Sequence, residues 1–227
     1  HLGITYAGVG KNHKDIAREL KQAAFDVFER VVDVAIEEEV DALVLAGDLL
    51  DSSRTFVKEK LFLQSQLNRL APFGIPVVVA LGNHDAGTSY VSGKHIYTFG
   101  SAIETIEVET RNGERVAFSG FSYEVPVVAT RKVQEYPMKS ANCDIHIGVL
   151  HGELTTAQGR YAPFSIPELR EKGYDYWALG HIHTCQEVSS QPCAWYSGTT
   201  QGADRKESGP KGVLLVEITP GNAPEVH

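Results

Sequence analysis

Five apolar runs in this sequence are each bordered by residues with lone pairs to offer. His1 opens "HLG", Asp48 sits in "LAGDLLD", and Asn83 and His84 follow "VVVALG". His151 closes "GVLH", and His181 and His183 form "GHIH" after "DYWAL". Nitrogen and oxygen donors of this kind suit Mn, Fe or Zn rather than an iron–sulfur cluster. One carboxylate, one amide oxygen and four imidazoles (His1, His151, His181 and His183) exceed what a single ion takes up, so two divalent ions are the natural reading. Taken singly, each piece has an ordinary explanation. "GD" and "GNHD" serve as turns, His151 beside Gly152 reads as a satisfied polar residue, and "HIH" reads as a structural pair on a strand. Their joint occurrence at the ends of separate apolar runs is what points to a site.

The elements that must position these donors alternate. From Asp15 to Glu39, Ile16, Leu20, Ala24, Val27, Phe28, Val31 and Val34 recur at helical steps. "ALVLAGD" is a short β-rich run, Val57 to Leu70 has helical spacing through Leu61, Leu67 and Leu70, and "GIPVVVALGNHD" is the next strand. Strand–helix–strand alternation predicts parallel strands with crossover helices, whose carboxyl-end loops form the ligand crevice. In the second half, apolar and polar residues alternate around Asn112-Gly113, a hairpin signal. "DIHIGVLHG" and "DYWALGHIH" are strand candidates separated by a short helix over Ile166 to Lys172. "AWYSGTT" and "GVLLVEI" read as closing strands, and "TPGNAPEVH" as an exposed linker.

The bulk properties set the frame. With 227 residues, 42% of them hydrophobic, the chain can bury one sizeable core in a single layered α/β domain. No apolar run approaches the roughly 18 residues of a membrane-spanning helix. Three cysteines, an odd and sparse set, read as reduced thiols in a cytoplasmic protein. A net charge of −8 argues against one large nucleic-acid footprint. It leaves open a focal site where bound cations dominate the field.

"GDLLD", "GNHD", "HG" and "GHIH", in this order, resemble the motifs G-D-x-x-[DH], G-N-H-[DE], H and G-H-x-H of the calcineurin-like metallophosphoesterase superfamily. "HLG" resembles the tail of that superfamily's first motif, D-x-H. The resemblance implies an α/β fold, a four-layer α/β/β/α sandwich with two mixed sheets flanked by helices, over residues 1–219. That domain would be truncated within its first motif, with the Asp two positions before His1 outside the sequence. Residues 220–227 would be a linker towards a capping region. Carried over residue by residue, it implies His1 and His183 on one ion, Asn83, His151 and His181 on the other, and Asp48 bridging them. The ions would be manganese first, with iron or zinc as alternatives. A hydroxide held between them would attack phosphorus. His84 would face the substrate as the acid, with Asp85 orienting its imidazole from behind.

Within the superfamily the chain most resembles the nuclease subunit of SbcCD-type bacterial DNA repair complexes. "HLG", "VVDVAIEEEVDALVLAGDLLD", "GFSY" at 120–123 and "DYWALGHIH" followed by "YSGTTQG" carry that likeness. The last is similar to the branch's Y-P-G-x-x-Q-G, with Ser197 in place of Pro. The branch implies a DNA exo- or endonuclease, with DNA and an SbcC-like ABC-type ATPase as partners, a homodimer, and no membrane. Arg54 and Arg160 follow metal-bearing loops and are the candidates for phosphate contacts. Asp51 stands where many of these nucleases carry His, although bacterial relatives often have Asp there. The alternative is a small-molecule phosphodiesterase or phosphatase for nucleotides or cyclic nucleotides, which needs the same ligands and no DNA groove. A non-catalytic scaffold would be expected to lack the "GNH" histidine or several ligands, and the visible ones are all present.

Overall fold

The computed structural model describes residues 1–3, 14–50, 57–88, 91–202 and 207–227. Helix α1 (Lys14–Glu37) leads into strand β1 (Leu43–Ala46), helix α2 (Val57–Asn68), strand β2 (Val77–Ala80) and strand β3 (Ile96–Thr98). These strands form a three-stranded sheet in the order β1-β2-β3, parallel throughout among the described residues. A six-stranded mixed sheet follows, built from β4 (Glu104–Glu109), β5 (Arg115–Gly120), β6 (Ile145–His151), β7 (Tyr176–Gly180), β8 (Gln186–Ser190) and β9 (Cys193–Tyr196). Its order is β4-β5-β6-β7-β9-β8, with β5, β6, β7 and β9 parallel and the two edge strands antiparallel.

The period-two alternation of β2 explains the layering. Val77 and Val79 turn outward into a core with Phe25, Phe28 and Val32 of α1 and Leu63 and Leu67 of α2. Val78 and Ala80 turn inward against Val116, Phe118, Ile145 and Val149 of the second sheet. The outer face of that sheet, through Trp177, Leu179 and Tyr196, is covered by Leu169 of helix α3 (Ile166–Lys172) and by Val133 and Tyr136. Helices, sheet, sheet and helix are therefore stacked in four layers around three apolar clusters.

Local signals explain where the elements stop. The last turn of α1 closes with Glu39 N–H on the Ile36 carbonyl and Val40 N–H on that of Ala35, with Glu39 at φ 50°. Helix α3 begins with a capping box in which Ser165 and Glu168 satisfy each other's backbone N–H, and it ends at Gly173 with φ 73°. The hairpin expected at Asn112-Gly113 joins β4 to β5. Two amphipathic readings shift: Ile16 of α1 and Leu61 of α2 lie exposed, while Phe25, Val32 and Leu63 supply the buried stripe. "GVLLVEI" forms only the short strand β10 (Val216–Glu217). The segment read as a plain linker turns back and pairs with it as β11 (Glu225–Val226).

Candidate metal centre

The strand ends anticipated from the sequence meet at one edge of the two facing sheets. After β1 the chain leaves its strand through two consecutive left-handed residues, Gly47 at φ 101° and Asp48 at φ 53°. A Cβ at Gly47 would run into the His151 ring and the backbone of Gly82, so only glycine fits there. Asp48 is thereby turned inward and is 7% exposed. The loop after β2 meets it: His84 donates its backbone N–H to Asp48 Oδ1 at 2.9 Å. Asp85, fully buried, fastens the two loops together. Its carboxylate accepts backbone N–H bonds from Leu49 at 3.0 Å, Leu50 at 2.9 Å and Gly82 at 3.0 Å.

The donors fall into two groups with Asp48 between them. Asn83 Oδ1 lies 2.9 Å from His151 Nε2 and 3.3 Å from His181 Nδ1. His1 Nε2 lies 3.1 Å from His183 Nε2. Asp48 Oδ2 reaches both groups, at 3.3 Å from His151 Nε2 and 3.7 Å from His1 Nε2. Ligand atoms of Asp48, His151 and His181 all lie within 4.8 Å of one another. His183 reaches its place because the chain after β7 passes through His181 at φ 98°, not because the strand continues. The two imidazoles thus address neighbouring positions.

The chemistry of this donor set fits a divalent cation. His151 Nδ1 is 2.9 Å from the Ala46 carbonyl, which can only accept, so Nδ1 carries the ring proton. Nε2 then points a lone pair at the oxygens of Asn83 and Asp48. Lone pairs facing one another at these distances require a positive charge among them. Burial opposes protonation of His151, but Asp48 outweighs it and raises the pKa, so a proton can play that part. Burial likewise works to raise the Asp48 pKa, yet His151 and the His84 N–H bring it down to about 2, so its carboxylate is ionised. Burial, with the charge of His151, lowers the His181 pKa to about 4 and keeps that ring a neutral donor near pH 7.

Around this cluster, the remaining sequence candidates separate. His84 is exposed at the mouth, its ring edge-on to His1 with centroids 4.9 Å apart. Asp85, expected behind that imidazole, accepts from the backbone of both loops, which sets where Asp48 and His84 stand. Arg160 is exposed and lies over the Tyr161 ring at 5.8 Å, and that ring packs 4.7 Å from His181. Arg54 and Asp51 lie outside the described residues. Sequence reasoning missed Glu207, whose Oε1 sits 2.6 Å from His183 Nδ1. It also missed Tyr123, whose hydroxyl donates to the His151 carbonyl at 2.9 Å. The aromatic ending of "GFSY" was the available signal for Tyr123; Glu207 is embedded in a charged run and carries none.

Residues 12–185 match the family model described as calcineurin-like phosphoesterase. The chain is 36% identical over 230 residues to the uncharacterized metallophosphoesterase YhaO of Bacillus subtilis, covering 98% of this chain and 56% of that protein. It is 31% identical to the DNA double-strand break repair protein Mre11 of Haloferax volcanii, covering 97% and 49% of the two chains. It is 28% identical to Mre11 of Sulfurisphaera tokodaii, covering 100% and 61%. The chain thus spans about half the length of the curated relatives it matches.

Proposed function

The chain belongs to the calcineurin-like phosphoesterase family, and we propose that it is a two-metal phosphodiesterase whose substrate is DNA. The observation that carries this reading is the convergence on Asp48 of lone pairs from the ends of β1, β2, β6 and β7. In this reading His1, Asp48 and His183 hold one ion, and Asp48, Asn83, His151 and His181 hold the second. Manganese suits these donors, with iron or zinc as alternatives. Bound there, the ions supply a water acidified to a nucleophile at neutral pH and offset charge on the phosphoryl oxygens.

The protein's own groups do the rest. Asp48, ionised and buried, sits where both donor sets can share it. His84, exposed beside His1, is placed to donate a proton to the departing alkoxide, a role worth roughly 10²–10⁴-fold in rate. Arg160 and Tyr161 stand on the far side, beside His181, where a cation and a ring can meet a phosphate and a base. The double-strand break repair relatives support DNA as the substrate class. By the same token DNA and an ABC-type ATPase are the partners this reading assigns, and exo- or endonucleolytic cleavage the reaction.

The test is a panel of substrates with added Mn²⁺: linear DNA, a cyclic nucleotide and bis(p-nitrophenyl) phosphate. Cleavage of DNA is expected. Robust turnover of the small esters alone would replace the nuclease reading with a small-molecule phosphodiesterase. His84→Ala should abolish turnover while leaving Mn²⁺ content nearly unchanged, and loss of both ions in that variant would place His84 among the ligands instead.

A further inference from the structure

We infer that Glu207 is the positioning residue for His183, and through it for one of the two ion sites; this rests on the two-ion reading above. Glu207 Oε1 lies 2.6 Å from His183 Nδ1. A carboxylate oxygen accepts at that distance, so Nδ1 carries the proton and Nε2 is left as the donor nitrogen. It is Nε2 that faces His1 Nε2, 3.1 Å away, on the side of the ring opposite the carboxylate.

The backbone of His183 is held from the same stretch of chain. Its carbonyl accepts the Thr199 N–H at 3.3 Å and the Lys211 ammonium at 3.3 Å. Gly198, at φ 74°, lets the chain pass against it, since a Cβ there would meet the Cys185 nitrogen and the His183 carbonyl. Residues 198, 199, 207 and 211 therefore fix this histidine at both backbone and ring. His181 and His151 are walled in by neighbouring rings, 5.3 Å apart centroid to centroid. The side chain of His183 is 33% exposed, with the His1 ring 4.9 Å away on one side and the Glu207 carboxylate bonded to Nδ1 on the other. Loss of an outer partner of this kind weakens metal affinity by about 10–100-fold.

The experiment is a Mn²⁺ titration of the full chain, without substrate, following free Mn²⁺ by electron paramagnetic resonance. It compares the unaltered chain with Glu207→Gln, Glu207→Asp, His183→Ala and the double variant Glu207→Gln/His183→Ala. The expected result is two ions on the unaltered chain. In Glu207→Gln the affinity of one ion should fall about 10–100-fold with the other unmoved, and Glu207→Asp should restore part of it. In the His183→Ala background the Gln substitution should cost nothing further, a non-additivity that a general structural role would not produce. Two ions bound with unchanged affinity by Glu207→Gln would overturn the inference and leave the two-ion reading standing. An unaltered chain that takes up no Mn²⁺ would overturn that reading, and this inference with it. Thermal unfolding of each variant separates lost binding from lost folding.

Discussion

Among individual residues, Asp85 shows how much can depend on one carboxylate that never needs to touch a substrate. It is fully buried and accepts backbone N–H bonds from Leu49, Leu50 and Gly82, uniting loops that are far apart in the chain. A charged acceptor of this kind contributes about 1.5–3 kcal/mol per bond. Asp85→Asn keeps the shape but turns an amide NH₂ towards at least one of those N–H groups. It should cost about 2–4 kcal/mol in urea unfolding and weaken Mn²⁺ binding as well. A variant with native stability and native ion affinity would show that the clamp is dispensable. The letters "GNHD" made the His and Asn legible as chemistry. They did not tell what the Asp faces, because that depends on a backbone about 35 residues away.

At the level of elements, β6 carries a titratable group with no part in the site. His146 is buried, stacked on Tyr174 at 3.8 Å, with Nε2 2.8 Å from the Ser119 hydroxyl and Nδ1 accepting the Ser140 N–H at 3.3 Å. Burial brings its pKa from 6.5 down to about 4, with Asp175 opposing and Lys139 reinforcing the shift. The folded chain therefore binds this proton more weakly than the unfolded one. Stability is complete above the unfolded value of 6.5 and falls as pH drops towards about 4. A loss of about 1–3 kcal/mol across that window is expected, and His146→Gln should flatten it. Urea midpoints measured at intervals through the window decide the matter, and identical slopes for both proteins would rule His146 out as the source. The elements themselves were largely legible. Helical spacing and the Asn112-Gly113 turn placed α1, α2, α3 and the β4–β5 hairpin. What periodicity could not tell was which face of each helix the sheet covers, and so Leu61 ends in solvent between the buried Glu59 and Leu63, as does Ile16 near the start of α1.

Taken as a whole, the molecule brings its two sheets into contact beside the metal centre. A Cβ at Gly180 would coincide with the Ala46 carbonyl and press on His151, so glycine sets how closely β7 approaches β1. The first sheet supplies Asp48 and Asn83, and the second supplies His151, His181 and His183, so these donors meet only at that spacing. Gly180→Ala should destabilise the fold by about 1–3 kcal/mol and weaken Mn²⁺ binding disproportionately. Calorimetric titration alongside thermal unfolding measures both, and an unchanged binding isotherm would mean that the donors tolerate separation of the sheets. Among the described residues no helix is long and apolar enough to cross a membrane.

The sequence by itself determined the donors and the ends of the strands that carry them. Donor chemistry belongs to side-chain type, and strand ends follow from local alternation and turns. It determined the order of the elements for the same reason. Only the tertiary structure decided which donors stand within reach of one another, that Asp85 grips the backbone of both loops, and that Glu207 stands behind His183. Those are distances between segments remote along the chain, set by how the sheets twist and pack, and no local pattern of residues encodes them.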